Sequence, residues 1–397
     1  MMKQLSSLLL GAAMLAGTVF PALASEQLTP NGVNRVGATP NGVDYSDVNV
    51  AILDTGVQFD HPDLNVVGGV DCTGGATIFG AQIQADGIGP FTPRLETHGP
   101  GWDDGYGHGT HVAGTVAALD NDQGVVGVAP GAAIWSVRVL DSRGGGTNDT
   151  ILCGLDWVIE YHDQIDVLNL SLGGTQGDYL PESLAACHYE EPFVATRLDR
   201  SRDSGKLTGV PMHDRMCTIL DLGIPIVVSA GNDDNDAGYN FPAGFPEVIT
   251  VSNFSDFDGQ PGGLGENVSC LGYGGTDDTL WTHKNGTPMR GFSSSAGEVV
   301  DFSAPGTCVL STIPTGFGHG YGYATGTSMA APHVTGVVTR ILHDLMAETP
   351  GGEDTFRKMR SRNTVNMIEA LMRHAAEPQT PDFHDVDEYP EPLIHVP

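Results

Sequence analysis

Short aliphatic runs alternate along this chain with segments of helical spacing. Five runs have the length and β-branched character of buried parallel strands, and several of them lead into a glycine: residues 48–53, 133–140, 167–172, 225–230 and 248–251. Four segments have the spacing of helices: residues 108–119, 147–161, 327–346 and 354–375. We place Pro332 in the first turn of the third helix, where its missing N–H is harmless. This alternation predicts an α/β fold, with a mostly parallel sheet flanked by helices on both faces.

Several polar residues stand where these strands and helices end or begin. Asp54, Ser171 and Asn232 lie at or just after strand ends, while His108 and Ser328 open helices. In open parallel sheets, ligands bind beyond the carboxyl ends of the strands. These five positions are therefore the ones best placed for a functional site.

The first 24 residues have the features of a secretory signal peptide. Lys3 supplies a positive charge, an apolar run covers residues 8–20, and residues 22–24 (ALA) form a cleavage site of small residues. A membrane anchor is the alternative, but the apolar run is shorter than the roughly 20 residues that a spanning helix needs. We therefore expect a secreted protein, extracellular or periplasmic.

The remainder shows no repeat and no second-domain boundary. We expect a single domain over residues 25–375, with loop-rich insertions near residues 71–107, 175–218 and 256–292. A proline-rich acidic tail, residues 376–397, is either trimmed or packed on the domain.

All six cysteines follow the predicted leader. An even number in an exported chain favours disulfides, although the sequence allows many pairings. Proximity along the chain favours Cys187–Cys217 and Cys270–Cys308, which leaves Cys72 to pair with Cys153. Buried free thiols are the alternative.

The charge balance removes two classes of partner. The chain has 18 basic and 49 acidic residues, a formal net charge of −31. A surface this acidic repels nucleic acid and anionic membranes, so we expect neither as a partner.

The polar residues singled out above suit nucleophilic catalysis. A hydroxyl nucleophile at neutral pH needs a base, a group that orients the base, and donors for the oxyanion. Ser328, His108, Asp54 and Asn232 are candidates for these roles, and a helix N-terminus at Ser328 favours a developing anion. Each position alone is a weak signal, because a serine that opens a helix is more often a cap.

The surrounding residues are far more specific. Residues 51–57 (AILDTGV), 108–114 (HGTHVAG) and 326–334 (GTSMAAPHV) resemble the three signature segments of the subtilisin-like serine peptidases, the subtilases, in the family's order. Residues 229–232 (SAGN) resemble the family's oxyanion-asparagine segment, and the resemblance covers about residues 27–345. It implies a subtilisin-like three-layer fold and a monomeric serine endopeptidase that acts on proteins or peptides.

The resemblance also implies residue roles. Ser328 would be the nucleophile, His108 the general base and then acid, and Asp54 the residue that orients His108. Asn232 and the Ser328 N–H would form the oxyanion hole, supported by Thr327. The implied substrate-binding residues are Gly144, Gly145, Gly146, Ser171, Leu172, Gly173, Ala230, Gly231 and, near the base of the specificity pocket, Asn240.

A structural calcium site is a further implication. Residues 119–125 (LDNDQGV) continue from the His108 helix and resemble the family's calcium loop. Six oxygen donors suit calcium, a hard cation that tolerates irregular geometry. The implied ligands are the side chains of Gln27, Asp63 and Asn121 and the backbone carbonyls of Leu119, Gln123 and Val125. An ordinary turn with surface acids is the alternative.

Several points stay open in the sequence. The resemblance to the mature family domain begins at Gln27, which leaves no room for a folding pro-domain after the predicted leader. Asn240 is polar but uncharged, so the sequence gives no clear side-chain preference. The alternatives for function are a catalytically silent binding protein of the same fold and an ester or lipid hydrolase, and Ser328 lacks the G-x-S-x-G motif of the latter. A zinc pair of His108 and His111 is disfavoured because no HExxH arrangement follows.

Overall fold

A computed structural model describes residues 8–9, 26–73, 101–175, 187, 210–266, 269–270, 273–275, 277–279, 282–284, 287–288, 294–317, 319–379 and 390–397. Its helices are α1 (Asn31–Arg35), α2 (His108–Ala117), α3 (Asn148–Glu160), α4 (Pro211–Asp221), α5 (Thr327–Glu348), α6 (Gly352–Met359) and α7 (Arg362–Ala375). Its strands are β1 (Leu8–Leu9), β2 (Asn49–Asp54), β3 (Val66–Asp71), β4 (Ala133–Arg138), β5 (Gly145–Gly146), β6 (Val167–Leu170), β7 (Gly174–Thr175), β8 (Ile226–Ser229), β9 (Asn240–Phe241), β10 (Ile249–Phe254), β11 (Ser269–Cys270), β12 (Tyr273–Gly275), β13 (Thr282–Lys284), β14 (Thr287–Pro288), β15 (Phe302–Pro305), β16 (Val309–Thr312) and β17 (Tyr321–Ala324).

The central element is a seven-stranded sheet in the order β15-β10-β8-β6-β2-β4-β3. All neighbouring strands in it are parallel. Strand β2 lies between β4 and β6, and its residues from Val50 to Leu53 are fully buried, as expected for an apolar strand covered on both faces. The carboxyl ends of β2, β6 and β8 therefore meet at one edge, where the polar residues noted above are found.

Helices cover both faces of this sheet and form two apolar cores. On one face, Val112 of α2 and Val334 of α5 belong to the same buried cluster as Ile52. On the other face, Leu155 of α3 and Ile219 of α4 are buried in a cluster with Leu53. The predicted α/β fold, a parallel sheet between two helical layers, is confirmed. In the part of the chain that the structure describes, no helix is long and apolar enough to cross a bilayer.

The helix expected over residues 354–375 is wrong in one respect, because it is two helices. Arg360 ends α6 with extended backbone angles, and Ser361 starts α7 with a capping box to Thr364. Arg360 is nearly buried, and its guanidinium lies 2.7 Å from Asp166, which is fully buried before β6. This long-range ion pair, together with the serine cap, fixes the break.

Two loop-like regions are more ordered than the sequence suggested. Residues 211–218, which fall in one expected insertion, are part of α4. Of the acidic tail, residues 390–397 pack on the domain: the Ser303 N–H donates to Pro392 O and the Ile394 N–H donates to Ser303 O, each at 3.0 Å. Residues 74–100, 176–186 and 188–209 of the expected insertions lie outside the described residues, as does the predicted leader apart from residues 8–9.

The predicted disulfides are confirmed. Cys187–Cys217, Cys270–Cys308 and Cys72–Cys153 are bonded pairs. The last of these has a sequence separation of 81 residues and joins the segment after β3 to α3. Closing a loop of that size lowers the entropy of the unfolded chain, which contributes about 2–4 kcal/mol in typical proteins.

Candidate active site

The carboxyl end of β2 and the start of α2 bring a carboxylate and an imidazole together. Asp54 and His108 are both fully buried, and His108 Nδ1 lies 2.8 Å from Asp54 Oδ1 and 2.9 Å from Oδ2. Because a carboxylate only accepts, Nδ1 carries the proton and donates it. His108 Nε2 is buried and has no hydrogen-bond partner among the described residues. The imidazole is thus oriented, with its other nitrogen available as a base.

A glycine permits the close approach of α2 to the turn after β2. A Cβ on Gly109 would lie 2.1 Å from the carbonyl oxygen of Gly56 and 3.0 Å from Asp54 Cβ. Real Cβ atoms do not come that close to backbone, so any other residue here would push His108 away from Asp54.

Asp104 fastens the same two elements, and sequence reasoning missed it. Its Oδ1 accepts from Thr55 Oγ1 (2.9 Å), Tyr106 N (2.9 Å) and Gly107 N (2.7 Å). Its Oδ2 accepts from the backbone N–H (2.9 Å) and the hydroxyl (2.6 Å) of Thr110. Asp104 therefore ties the residue after Asp54 to the first turn of α2. The only sequence signal was an acid four residues before His108, close to a helix N-terminus where acids are favoured.

Ser328 is the second residue of α5 and is almost completely buried. Its hydroxyl donates to Ser171 O at 3.2 Å. The hydroxyl is therefore turned towards the end of β6 instead of towards His108 Nε2. Rotation about χ1 of Ser328 is the movement that would exchange one acceptor for the other.

The expected position of Pro332 is wrong, and the difference matters here. Pro332 is the sixth residue of α5, inside the helix and not in its first turn. It has no N–H for the carbonyl of Ser328, four residues earlier. Ser171 Oγ supplies the missing donor, at 2.8 Å from Ser328 O, and itself accepts from Asn169 Nδ2. The serine in α5 and the end of β6 are thus held together in both directions.

Asn232 follows β8 and faces the N-terminus of α5. Its Oδ1 accepts from the Thr327 N–H (2.9 Å) and the Thr327 hydroxyl (3.1 Å). The Thr327 hydroxyl also accepts from the Gly231 N–H at 3.2 Å. Both donors bind the amide oxygen, so the amide nitrogen is the group of Asn232 that remains to donate.

Two glycine-rich segments are the ones expected to bind substrate. Gly145 and Gly146 form β5, which pairs antiparallel with β1, Leu8 opposite Gly146 and Leu9 opposite Gly145. Gly144 precedes β5 with a positive φ of 74°. Ser171, Leu172 and Gly173 follow β6 and lead into β7, which pairs with β9. The expected substrate-binding segments therefore lie at strand edges, and the edge of β5 does accept an extended chain.

Asn240 is at the start of β9, but its side chain faces inward. It is 4% exposed, and its amide nitrogen lies 2.9 Å from Ala230 O, 3.1 Å from Asn235 Oδ1 and 3.1 Å from Ser295 Oγ. These contacts hold the turn that carries Ala230 and Gly231. Asn240 therefore stabilises the segment that contains Ala230 and Gly231.

Of the six residues expected to hold calcium, four lie in the loop 119–125, and Gln27 and Asp63 contact that loop from other segments. Asn121 Nδ2 donates to Asp63 Oδ1 (3.0 Å), the Val125 N–H donates to Asp63 Oδ2 (3.1 Å), and Gln27 Oε1 accepts from the Asn121 N–H (2.9 Å). The carbonyl-bearing residues Leu119 and Gln123 lie in the same loop.

The environment of Asp63 indicates whether a cation fits this loop. It is 1% exposed, and burial raises its pKa to about 6 even though Tyr321, Asn121 and two backbone N–H groups donate to it. No lysine or arginine of the described residues pairs with it. A buried carboxylate with no cationic side chain paired to it among the described residues suits a hard cation.

His111 has a structural role. It is fully buried one turn after His108, and its Nε2 donates to Val309 O (3.0 Å) and Gly322 O (3.2 Å). Burial lowers its pKa to about 3, so the ring is neutral. His111 joins α2 to the β16–β17 pair.

Comparisons with known proteins agree with this geometry. A family model described as "Subtilase family" matches residues 45–387. The chain is 32% identical over 322 residues to a subtilisin of Bacillus pumilus, a match that covers 80% of this chain and 85% of that protein. It has the same identity to subtilisin E of Bacillus subtilis (strain 168), of which it spans 61%. Among solved structures, a cold-adapted subtilisin-like serine proteinase matches with a TM-score of 0.57 and 22% identity, over 92% of this chain and 97% of that one.

Proposed function

The chain belongs to the subtilase family, and we propose that it is an exported serine endopeptidase in which Ser328 attacks the scissile carbonyl of protein substrates. The observation that carries the proposal is the Asp54–His108 pair. Both of its members are buried, and the His108 Nδ1–H donates to the Asp54 carboxylate. His108 Nε2 has no hydrogen-bond partner among the described residues.

The chemistry follows the general scheme of serine peptidases. When substrate enters, the Ser328 hydroxyl leaves Ser171 O and gives its proton to His108 Nε2 as its oxygen attacks. Asp54 stabilises the imidazolium that forms, and His108 then protonates the leaving amine. A water molecule, activated by the same imidazole, hydrolyses the acyl-enzyme.

Asn232 is proposed to stabilise the oxyanion. Its amide oxygen is held by Thr327, which would leave the amide nitrogen to donate to the oxyanion without reorganising. The Ser328 N–H at the start of α5 is the second donor.

The substrate is proposed to lie between the two glycine-rich segments. Gly144, Gly145 and Gly146 offer one backbone edge, and Ser171, Leu172 and Gly173 offer the other. The antiparallel pairing of β1 with β5 supports this, because it is the way in which an extended peptide adds to a sheet edge. Ala230 and Gly231, held by Asn240, are proposed to line the pocket for the side chain before the scissile bond.

Calcium is proposed as a structural ion in the Asp63 loop. Gln27, Asp63 and Asn121 would hold it with the carbonyls of Leu119, Gln123 and Val125. The ion would supply the positive charge that the buried Asp63 carboxylate lacks, and so stabilise the connection between the N-terminal segment and the end of α2.

Export rests on the leader-like residues 1–24 and on the disulfides, which persist in oxidising compartments. We expect a monomer that acts on proteins or peptides and binds neither nucleic acid nor membranes, in keeping with its net charge of −31. The N-terminus of the exported protein, read by mass spectrometry, tests the leader: it should begin near Ser25.

One observation favours the alternative, a catalytically silent binding protein of the same fold. The Ser328 hydroxyl is bonded to Ser171 O and not to His108. Hydrolysis of denatured casein separates the two functions. The endopeptidase should release peptides and lose this activity in Ser328→Ala, whereas peptide release that Ser328→Ala leaves intact, or none from the folded wild type, would favour the silent protein.

A further inference from the structure

An asparagine lies inside the central sheet, where apolar side chains are the rule. Asn169 belongs to β6, pairs with Ile52 of β2 and Val227 of β8, and is fully buried. Alternate residues of a strand share a face, so Asn169 points to the same side as Val167, which belongs to the core that α5 covers. A polar group in this position destabilises the fold unless it is hydrogen-bonded.

The amide of Asn169 connects the middle of α5 to the end of β6. Thr335, two turns after Ser328 in α5, is fully buried, and its hydroxyl donates to Asn169 Oδ1 at 2.8 Å. On the other side of the amide, Asn169 Nδ2 donates to Ser171 Oγ at 3.0 Å. The Ser171 hydroxyl donates in turn to Ser328 O at 2.8 Å. Three side chains thus form a continuous buried chain of hydrogen bonds that leaves α5 and returns to its second residue.

The direction of these bonds decides where the proton of the Ser171 hydroxyl goes. Because Ser171 Oγ accepts from the Asn169 amide, its single proton is left for the Ser328 carbonyl. That carbonyl needs a donor, since Pro332 has no N–H to offer it. If the amide were turned over, its oxygen would accept the Ser171 proton and leave the Ser328 carbonyl unsatisfied. The Thr335 hydroxyl, which donates to the amide oxygen, favours the observed orientation.

We propose that Asn169 and Thr335 are positioning residues for the nucleophile and act through the Ser171 hydroxyl, an inference that rests on the proposed peptidase function. Neither residue touches substrate. Together they hold the carbonyl of Ser328, and with it the first turn of α5, against the end of β6. That turn carries both the Ser328 hydroxyl and the Ser328 N–H, so its displacement would move the attacking oxygen and one oxyanion donor at the same time.

A threonine one turn later in α5 provides a matched control. Thr339 is also fully buried, and its hydroxyl donates to Thr335 O at 2.8 Å, within the helix. The Thr335 hydroxyl makes the same kind of contact to Ala331 O, at 3.2 Å. Such a bond is local to the helix, whereas the Thr335 hydroxyl also contacts Asn169. Replacing either threonine by valine keeps the branched shape and removes the hydroxyl, so the two variants differ in the contact to β6.

The experiment measures kcat and KM for a peptide substrate and the rate of fluorophosphonate labelling, which reports on Ser328 without a peptide in the cleft. Thr335→Val should lower kcat and the labelling rate about tenfold with little change in KM, and Thr335→Ser, which keeps the hydroxyl, should restore both rates. Thr339→Val should leave them within about twofold of the wild type. Asn169→Leu, which removes the donor to Ser171, should lower both rates at least as much as Thr335→Val.

A double-mutant cycle separates this role from a general loss of stability. Because Thr335 acts through Ser171, Thr335→Val should lower kcat no further in a chain that already carries Ser171→Ala. Equal kcat in Thr335→Val and Thr339→Val, a change in KM alone, or losses that multiply in the double variant would each overturn the positioning role. A folded wild type without activity would overturn the proposed function and this role with it, whereas an active wild type with equally active variants would overturn the role alone.

Discussion

Replacing Asp104 by asparagine is expected to slow catalysis, because Asp104 connects the two segments that carry Asp54 and His108. Burial raises the pKa of Asp104, whereas the five donors at its two oxygens favour the ionised form. Asp104→Asn keeps the shape and removes the charge and one acceptor. The turn after Asp54 and the first turn of α2 then lose much of what holds them together.

The hydrogen bonds give the size of the effect. If the amide nitrogen takes the place of Oδ2, three bonds remain at Oδ1 and each loses its charge assistance, about 1 kcal/mol apiece. The Thr110 N–H faces a donor and is left unsatisfied, at about 1–3 kcal/mol. Relief of a buried charge offsets part of this sum. We expect a net loss of about 2–4 kcal/mol in unfolding free energy.

The same loosening should displace His108 from Asp54. A shift of about 1 Å in a reacting group can cost about 100-fold in rate, so we expect kcat to fall about 10- to 100-fold while KM changes little. The assay is hydrolysis of a peptide p-nitroanilide, with unfolding measured in Ser328→Ala chains.

A neighbouring carboxylate provides the control. Asp103 is only half-buried, and its carboxylate accepts from the Phe59 N–H at 3.2 Å. Asp103→Asn should leave kcat within about twofold of the wild type. If Asp104→Asn behaves like Asp103→Asn in both assays, Asp104 does not position the pair.

Three further predictions concern the oxyanion donor, the link between β6 and α5, and the cation loop. Asn232→Ala should lower kcat about 100- to 1,000-fold with little change in KM, a magnitude established for an amide donor in a subtilisin rather than derived from this structure; unchanged turnover would remove Asn232 from the oxyanion hole. Ser171→Ala leaves the buried Ser328 carbonyl without its donor and should destabilise the chain by about 1–3 kcal/mol and lower kcat; unchanged stability and kcat would show that this contact does not hold α5 to β6. The folded-state pKa of Asp63 is raised to about 6, above that of an unfolded aspartate, so the calcium-free protein should lose stability as the pH rises through about 6. Below that pH, calcium must displace a proton from the Asp63 carboxyl group. Calcium affinity from calorimetry should therefore weaken about tenfold per pH unit below pH 6 and be level above it, and an affinity independent of pH, or a melting temperature insensitive to chelator, would argue against calcium at Asp63.

The sequence predicted the central architecture because buried strands and packed helices leave strong local patterns. The run that became β2 is apolar apart from Asn49, and its observed bounds differ from the expected ones by a single residue at each end. Asp54, His108 and Ser328 stand at element ends, where their chemistry is visible before the fold is known. Their assignment to one catalytic site came from the family motifs around them.

The rest depends on contacts between residues distant in the chain. The break between α6 and α7 needs Asp166, which lies 194 residues before Arg360. Asp104 gives no clear local pattern, because its partners, three backbone N–H groups and two threonine hydroxyls, converge only when α2 forms and packs on the turn after β2. The consequence of Pro332 could not be predicted either, since the donor that compensates for it, Ser171, follows β6 and lies 157 residues before Ser328.

The central claim is that Ser328 is a nucleophile activated by His108. Labelling with a fluorophosphonate, followed by peptide mapping, tests it most directly. The account predicts one adduct per chain, on Ser328, formed at a rate that falls by orders of magnitude in His108→Ala and disappears in Ser328→Ala. A folded, calcium-loaded chain that is not labelled, or is labelled at another serine, would contradict it.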